Sequence, residues 1–258
     1  MAAKKNAKTK LLDAAVDVIR TKGFAATTVD DLCRAAGVTK GAFFHYFESK
    51  EALAIAAAGH FSALADWLFA AAPYRDLVDP VERLLGYVEF RKSLLRGPSA
   101  EFTCLLGSLV QETYQTHPAI QAACEKGLSE HTAMLEMDIA AALHRYGNGG
   151  QWSADGLAKH MQAVTQGAFI LAKAHQDAAI ATVCLDHLQR YIRLLFGQTK
   201  QGTQHDLQDF RTPGAGVHRR AQRSGAGIRA GSKGGLSAHG ADSSVPHERS
   251  TDRDRSGS

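Results

Sequence analysis

Residues 27–53 read TTVDDLCRAAGVTKGAFFHYFESKEAL, two short apolar stripes joined through a glycine and closed by a serine that opens another helix. Thr28 stands where a helix N-cap is needed, with Asp31 three residues on, and Val29, Leu32, Cys33 and Ala36 recur at the spacing of one helix face. Gly37 ends that helix, because a residue without Cβ can take the positive φ of a sharp turn. Thr39 can cap a second short helix through Phe47, and Ser49, with Glu51 in the first turn, opens the next, which runs to about Ala72. Upstream, Leu12, Ala15, Val16 and Ile19 form a stripe over residues 6 to 22, with Gly23 as its C-cap. Two short helices joined by a glycine turn and packed on a preceding helix are the parts of a helix-turn-helix, whose second helix enters the DNA major groove.

Val38, Phe43 and Phe47 are spaced to face the first helix, which leaves Thr39, Lys40, Gly41, Phe44 and His45 on the other side of a very short helix. Thr39 and Lys40 can offer a hydroxyl and an ammonium to phosphate or base edges, and Gly41 lets the backbone approach closely. A helix pair that serves only as a packing unit has the same periodicity, so the pattern by itself does not choose between the two roles.

The stretch also resembles the DNA-binding domain of the TetR family, in which a hydroxyl residue opens helix 2 and AGV-[ST]-KG-x-[FL]-Y-x-[YH]-F-x-[SN]-K-[ED]-x-L follows. Here that pattern is met by Ala36-Gly37-Val38-Thr39-Lys40-Gly41 and by His45-Tyr46-Phe47-Glu48-Ser49-Lys50-Glu51-Ala52-Leu53. The resemblance implies that Thr28, His45, Tyr46 and Lys50 grip phosphates while Thr39, Lys40 and Gly41 face the groove. It also implies a homodimer on a palindromic double-stranded operator, repression as the default, and release by a small-molecule effector. Ala42 and Phe44 depart from the commoner Thr or Ser and Tyr; losing both hydroxyls shifts readout toward packing on thymine methyls.

The rest reads as helices at roughly 77–96, 101–115, 118–146, 153–176 and 178–197, broken at Gly97-Pro98, His117-Pro118 and Gly147 to Gly150. The expected fold is therefore all-α with about nine helices: a helix-turn-helix domain over residues 1–50, a ligand-binding and dimerisation bundle over 51–199, and a low-complexity tail over 200–258. That tail holds ten Gly and eight Ser with Phe210 as its one aromatic, too little apolar surface to offset the entropy of ordering it.

Leu157, Met161, Val164, Ala168 and Leu171, with Leu185, Leu188, Ile192 and Leu195, follow coiled-coil spacing and suggest either a dimer seam or packing inside one subunit. The family resemblance favours the dimer. Residues 77–176 would enclose the effector, with Phe90, Phe102, Cys104, Leu109, Tyr114, Met134, Phe169 and His175 as wall candidates. Residues Thr103 to Leu109 look like a family branch in which Gly-Cys-Leu opens the sixth helix, with Thr103 in place of the Gly. Cys104, near a helix start, has the setting of a reactive thiol as well as that of an inert buried one.

Charge divides unevenly along the chain. Residues 1–60 hold nine Lys/Arg against six Asp/Glu, residues 61–199 eleven against fourteen, and residues 200–258 ten against six. A basic head on a slightly acidic body suits a polyanionic partner, and Lys4, Lys5, Lys8 and Lys10 could form a phosphate-reaching arm or simply a solvated terminus. Cys33, Cys104, Cys124 and Cys184 lie far apart with no C-x-x-C pair, and His131, His144, His160 and His187 have no carboxylate or thiol pairing; reduced thiols and no metal are expected. No run of eighteen apolar residues occurs, which points to a cytoplasmic protein without a membrane partner. No nucleophile elbow, phosphate loop, dinucleotide fingerprint or H-E-x-x-H is present, so neither an enzyme nor a cofactor is expected.

Overall fold

The computed structural model describes residues 6–147 and 152–197, so the expected arm at Lys4 and Lys5 and the tail after residue 200 lie outside the described residues. Ten α-helices and one 3-10 turn occur among the described residues, and no strand. They are α1 (Ala7–Lys22), α2 (Val29–Ala36), α3 (Lys40–Tyr46), α4 (Lys50–Ala70), a 3-10 turn (Pro73–Asp76), α5 (Pro80–Ser93), α6 (Ser99–Phe102), α7 (Leu105–Thr113), α8 (Pro118–Tyr146), α9 (Ala154–His175) and α10 (Ala178–Leu195). Lys8 and Lys10 belong to α1, which begins on an Asn6 cap.

One expected helix starts later and another divides. The stretch expected over 77–96 begins only at Pro80, because Asp79 accepts from the Val81 and Glu82 N–H groups and proline needs no N–H at the first helical position. The stretch expected over 101–115 is the single turn α6 followed by α7, since Thr103 and Cys104 are both extended.

Two large apolar clusters, with a small third one of Ala168, Ala172 and Ala181, form the core. The first joins Leu11, Ala15 and Ile19 of α1, Leu32 of α2, Phe43 of α3 and Leu53, Ala54 and Ala57 of α4 to Leu105 and Leu109 of α7 and Ile120 and Cys124 of α8. The second joins Phe69, Tyr74, Leu84 and Tyr87 to Leu135 and Ile139 of α8, Met161 of α9 and Leu185, Leu188 and Ile192 of α10. The long helices α4 and α8 contribute to both clusters, one end each. By composition α4 is long and apolar enough to cross a membrane, with mean hydropathy 1.4 over its best window. Its buried Leu53, Ala54, Ala57, Ala58 and Phe69 make it a core helix here.

Candidate functional site

The two helices of the helix-turn-helix, α2 and α3, are each started by a threonine hydroxyl. The Thr28 Oγ1 accepts the Asp31 N–H at 3.1 Å and an Asp31 oxygen accepts the Thr28 N–H at 3.0 Å, a reciprocal capping box. Lys22 closes on the same carboxylate at 2.6 Å, and that bond, ahead of those from Thr28, holds Asp31 well below the usual carboxylate range. Gly37 takes φ 63° and ψ 42°, which lets the Val38 N–H reach back to the Cys33 carbonyl at 3.0 Å. Thr39 then caps α3 by accepting the Ala42 N–H at 3.1 Å.

The two faces of α3 separate as the spacing predicts. Phe43 is fully buried and Phe47 nearly so, whereas Thr39, Lys40, Gly41, Phe44, His45 and Tyr46 are exposed. Phe44 keeps 55% of its surface open beside polar neighbours, an apolar contact surface available to a thymine methyl. Lys40 pairs with Asp30 at 2.7 Å, but both side chains are more than half exposed. Water screens so exposed a pair, which leaves a phosphate free to displace the carboxylate.

Lys50 sits differently from what the resemblance implies. It occupies the first position of α4, where the helix dipole disfavours a cation, and its ammonium turns back to donate to the Phe24 and Thr27 carbonyls at 2.9 Å each. It also lies 4.3 Å above the Phe24 ring. One ammonium proton remains for a phosphate, so its first task is to brace the α1–α2 loop.

The same loop is held from the body. Glu112 of α7 accepts the Phe24 and Ala25 N–H groups at 3.2 and 3.0 Å, and the His117 ring meets the Phe24 ring edge-on. Arg20 of α1 donates to the Glu101 and Thr103 carbonyls at 3.2 and 3.1 Å, and His60 of α4 pairs with Asp13 at 2.9 Å. Movement of α6 and α7 is thereby tied mechanically to α1 and to the start of α2.

A cavity of about 490 Å³ lies where the two cores meet, lined from α1 by Asp13, Val16, Asp17 and Arg20 and from α4, α5, α8 and α9 by residues including Phe61, Phe69, Arg91, His131 and Gln162. Of the expected wall residues only Phe102 and Cys104 line it. Leu109 is fully buried in the first core, Phe90 and Met134 pack on the second, Tyr114 is 58% exposed, and His175 is exposed at the end of α9. Phe169 instead lines a smaller cleft with Lys173. An apolar residue in a mixed pattern is more often core than wall; the polar wall residues Arg20, Arg91 and Gln162 carried no periodic signal. His131 is buried and hydrogen-bonded to the Tyr87 hydroxyl at 2.9 Å.

The expected dimer seam is also corrected. Leu157, Met161, Ala168, Leu185, Leu188 and Ile192 are each less than 5% exposed inside one protomer, and Val164 and Leu195 are half-buried on the second core. The coiled-coil spacing marks α9 packed against α10 and α8, and α10 packed against α5, within one protomer. Of the nine seam residues only Leu171 lies exposed, beside Ile170.

Comparison with known proteins agrees with this geometry. The sequence profile "Bacterial regulatory proteins, tetR family" matches residues 11–57, and "Transcriptional regulator LmrA/YxaF-like, C-terminal domain" matches residues 80–184. The chain is 41% identical over 81 residues to the HTH-type transcriptional repressor KstR2 of Mycobacterium tuberculosis; the match spans 30% of this chain and 38% of that one, well under two thirds of the relative's length. Among solved structures it resembles the reduced form of Escherichia coli NemR, with TM-score 0.64 and 21% identity over 72% of this chain and 96% of that one. A regulatory protein TetR from Rhodobacter sphaeroides superposes with TM-score 0.65 at 22% identity, over 72% and 98%. The order of helices, the capped helix-turn-helix and both profile matches lead to one assignment: the chain belongs to the TetR family of bacterial transcriptional regulators.

Proposed function

We propose that this chain is a transcriptional repressor that binds a palindromic DNA operator as a homodimer and leaves it when a small molecule fills the cavity between its two cores. Residues 1–50 read DNA, residues 51–199 hold the effector and the second subunit, and the protein works in the cytoplasm, where its operator is. The observation that carries the reading is α3: a seven-residue helix anchored by buried Phe43 and by Phe47 at its C-cap, while Thr39, Lys40, Gly41, Phe44, His45 and Tyr46 are exposed. A helix kept only for packing has no need of that exposed set.

Dimerisation is assigned to the outer face of α9 and α10, opposite the buried seam. There Ile170, Leu171, Val183, Tyr191 and Leu194 are 42 to 64% exposed, large apolar side chains on two adjacent helices of a kind that a subunit interface covers. A two-fold axis through it sets two copies of α3 for half-sites about one DNA turn, roughly 34 Å, apart.

Selection of bound fragments from genomic DNA, followed by footprinting, tests the reading. Enrichment of sites with two-fold symmetric protection and half-sites one turn apart supports it, whereas recovery of fragments without a common sequence contradicts it.

A further inference from the structure

Charge on the cavity wall points to the kind of molecule it accepts. Arg91 has no carboxylate within ion-pair distance among the described residues: its Nε donates to the Tyr87 hydroxyl at 3.0 Å, a terminal nitrogen donates to His131 Nε2 at 3.0 Å, and its guanidinium carbon lies 4.4 Å over the Phe69 ring. A guanidinium can only donate, so His131 Nε2 accepts, and the imidazole is neutral with its proton on Nδ1. Burial first, then the charge of Arg91, pushes the His131 pKa down to about 3.

Arg20 is the second cation. Its side chain is 11% exposed and its one ion pair, with the largely exposed Asp17, is 3.6 Å long. Its Nε is buried without a partner, as are Thr103 Oγ1 and Gln162 Oε1 on the same wall. The acidic side chains there do not compensate, because Asp17, Asp66 and Glu101 are exposed at the rim and Asp13 is held by His60. Leaving a guanidinium half-buried without an anion is costly, and a ligand that supplies one recovers that cost as charge-assisted hydrogen bonds.

We infer that the cavity binds an amphipathic organic acid: a carboxylate held by Arg91, with an apolar chain or ring lying against Phe61, Phe69 and Phe102. Arg20, Thr103 and Gln162 remain for a second oxygen function on the same molecule. The inference rests on the reading of this cavity as the effector site. Because Arg20 also ties α1 to α6 and α7, a ligand that engages it acts directly on the contact joining body to DNA-reading head.

Calorimetric titration of the full-length protein, without DNA, with decanoate, 4-phenylbutyrate, decanol and decylamine tests the ligand class. The acids are expected to bind below about 1 mM, the alcohol about tenfold more weakly and the amine not at all. Arg91→Gln removes the preference for acid over alcohol, with an unchanged circular dichroism spectrum and thermal transition showing that the variant is folded; Arg91→Lys keeps the preference. Equal binding of decanoate and decanol, an unchanged preference in Arg91→Gln, or no binding of either acid overturns the inference. Acid binding that leaves DNA affinity unaltered would overturn the effector reading instead and leave the ligand class standing.

Discussion

Gly37 is the residue on which the helix-turn-helix geometry turns. At φ 63° a side chain is strained even though an added Cβ would meet nothing within 4 Å, so Gly37→Ala is expected to lose about 1–2 kcal/mol in urea denaturation. Gly37→Asn should lose less, because asparagine tolerates this region. Lys40 is the cation most available to DNA on α3; Lys40→Ala should weaken binding to all duplexes and lower the slope of log affinity against log salt by about one. His131 carries a pH signature. Its folded pKa lies below the ordinary 6.5, so the unfolded chain binds the extra proton between about 3 and 6.5. That contribution to stability is therefore complete above pH 6.5 and lost as pH falls toward 3. Chemical denaturation at stepped pH should show this loss, and His131→Gln should flatten it. The capping threonines were legible in the sequence because a cap is a local pattern. The inward turn of Lys50 and the unpaired state of Arg91 were not, because both depend on atoms dozens of residues away.

The elements show the same division. The caps Thr28, Thr39 and Ser49 and the breaks at Gly37 and Pro118 can be read from residue order, since a capping side chain, a glycine and a proline all act on backbone close by. The one-turn α6 could not, because nothing in Ser99–Thr113 forbids a continuous helix; the extended backbone at Thr103 and Cys104 is set where Arg20 binds the Glu101 and Thr103 carbonyls. Periodicity on α9 and α10 correctly marked a buried stripe, but burial by a neighbouring helix and burial by a second subunit leave the same trace in sequence. Between elements, Asp138 of α8 receives Arg75 of the 3-10 turn and Arg83 of α5 at 2.9 Å each, with its side chain 13% exposed. Removing that carboxylate strands two cations, so Asp138→Ala is expected to cost about 2 kcal/mol or more, discounted because both arginines reach solvent. A thermal melt reads it; an unchanged transition would show that water already serves the two guanidiniums.

At the scale of the whole molecule, the proposed repressor needs two subunits, a shared interface on α9 and α10, and a head braced by the body through Glu112 and Arg20. Val183→Glu combined with Leu194→Glu places charge on the proposed interface without touching either core, and should yield a helical monomer by sedimentation velocity at micromolar concentration. A dimer that persists would move the interface elsewhere. Operator reading by α3 is tested most directly by fluorescence anisotropy of the purified protein on duplex DNA from upstream of its own coding sequence. The titration is run at two salt concentrations beside a scrambled duplex and a Lys40→Ala, His45→Ala variant. The predicted result is affinity at least about a thousandfold tighter for the upstream duplex, lost in the variant while its circular dichroism is unchanged. Equal, weak binding of both duplexes by wild type and variant alike, with no selected genomic site either, would contradict it and leave the helix-turn-helix as scaffold.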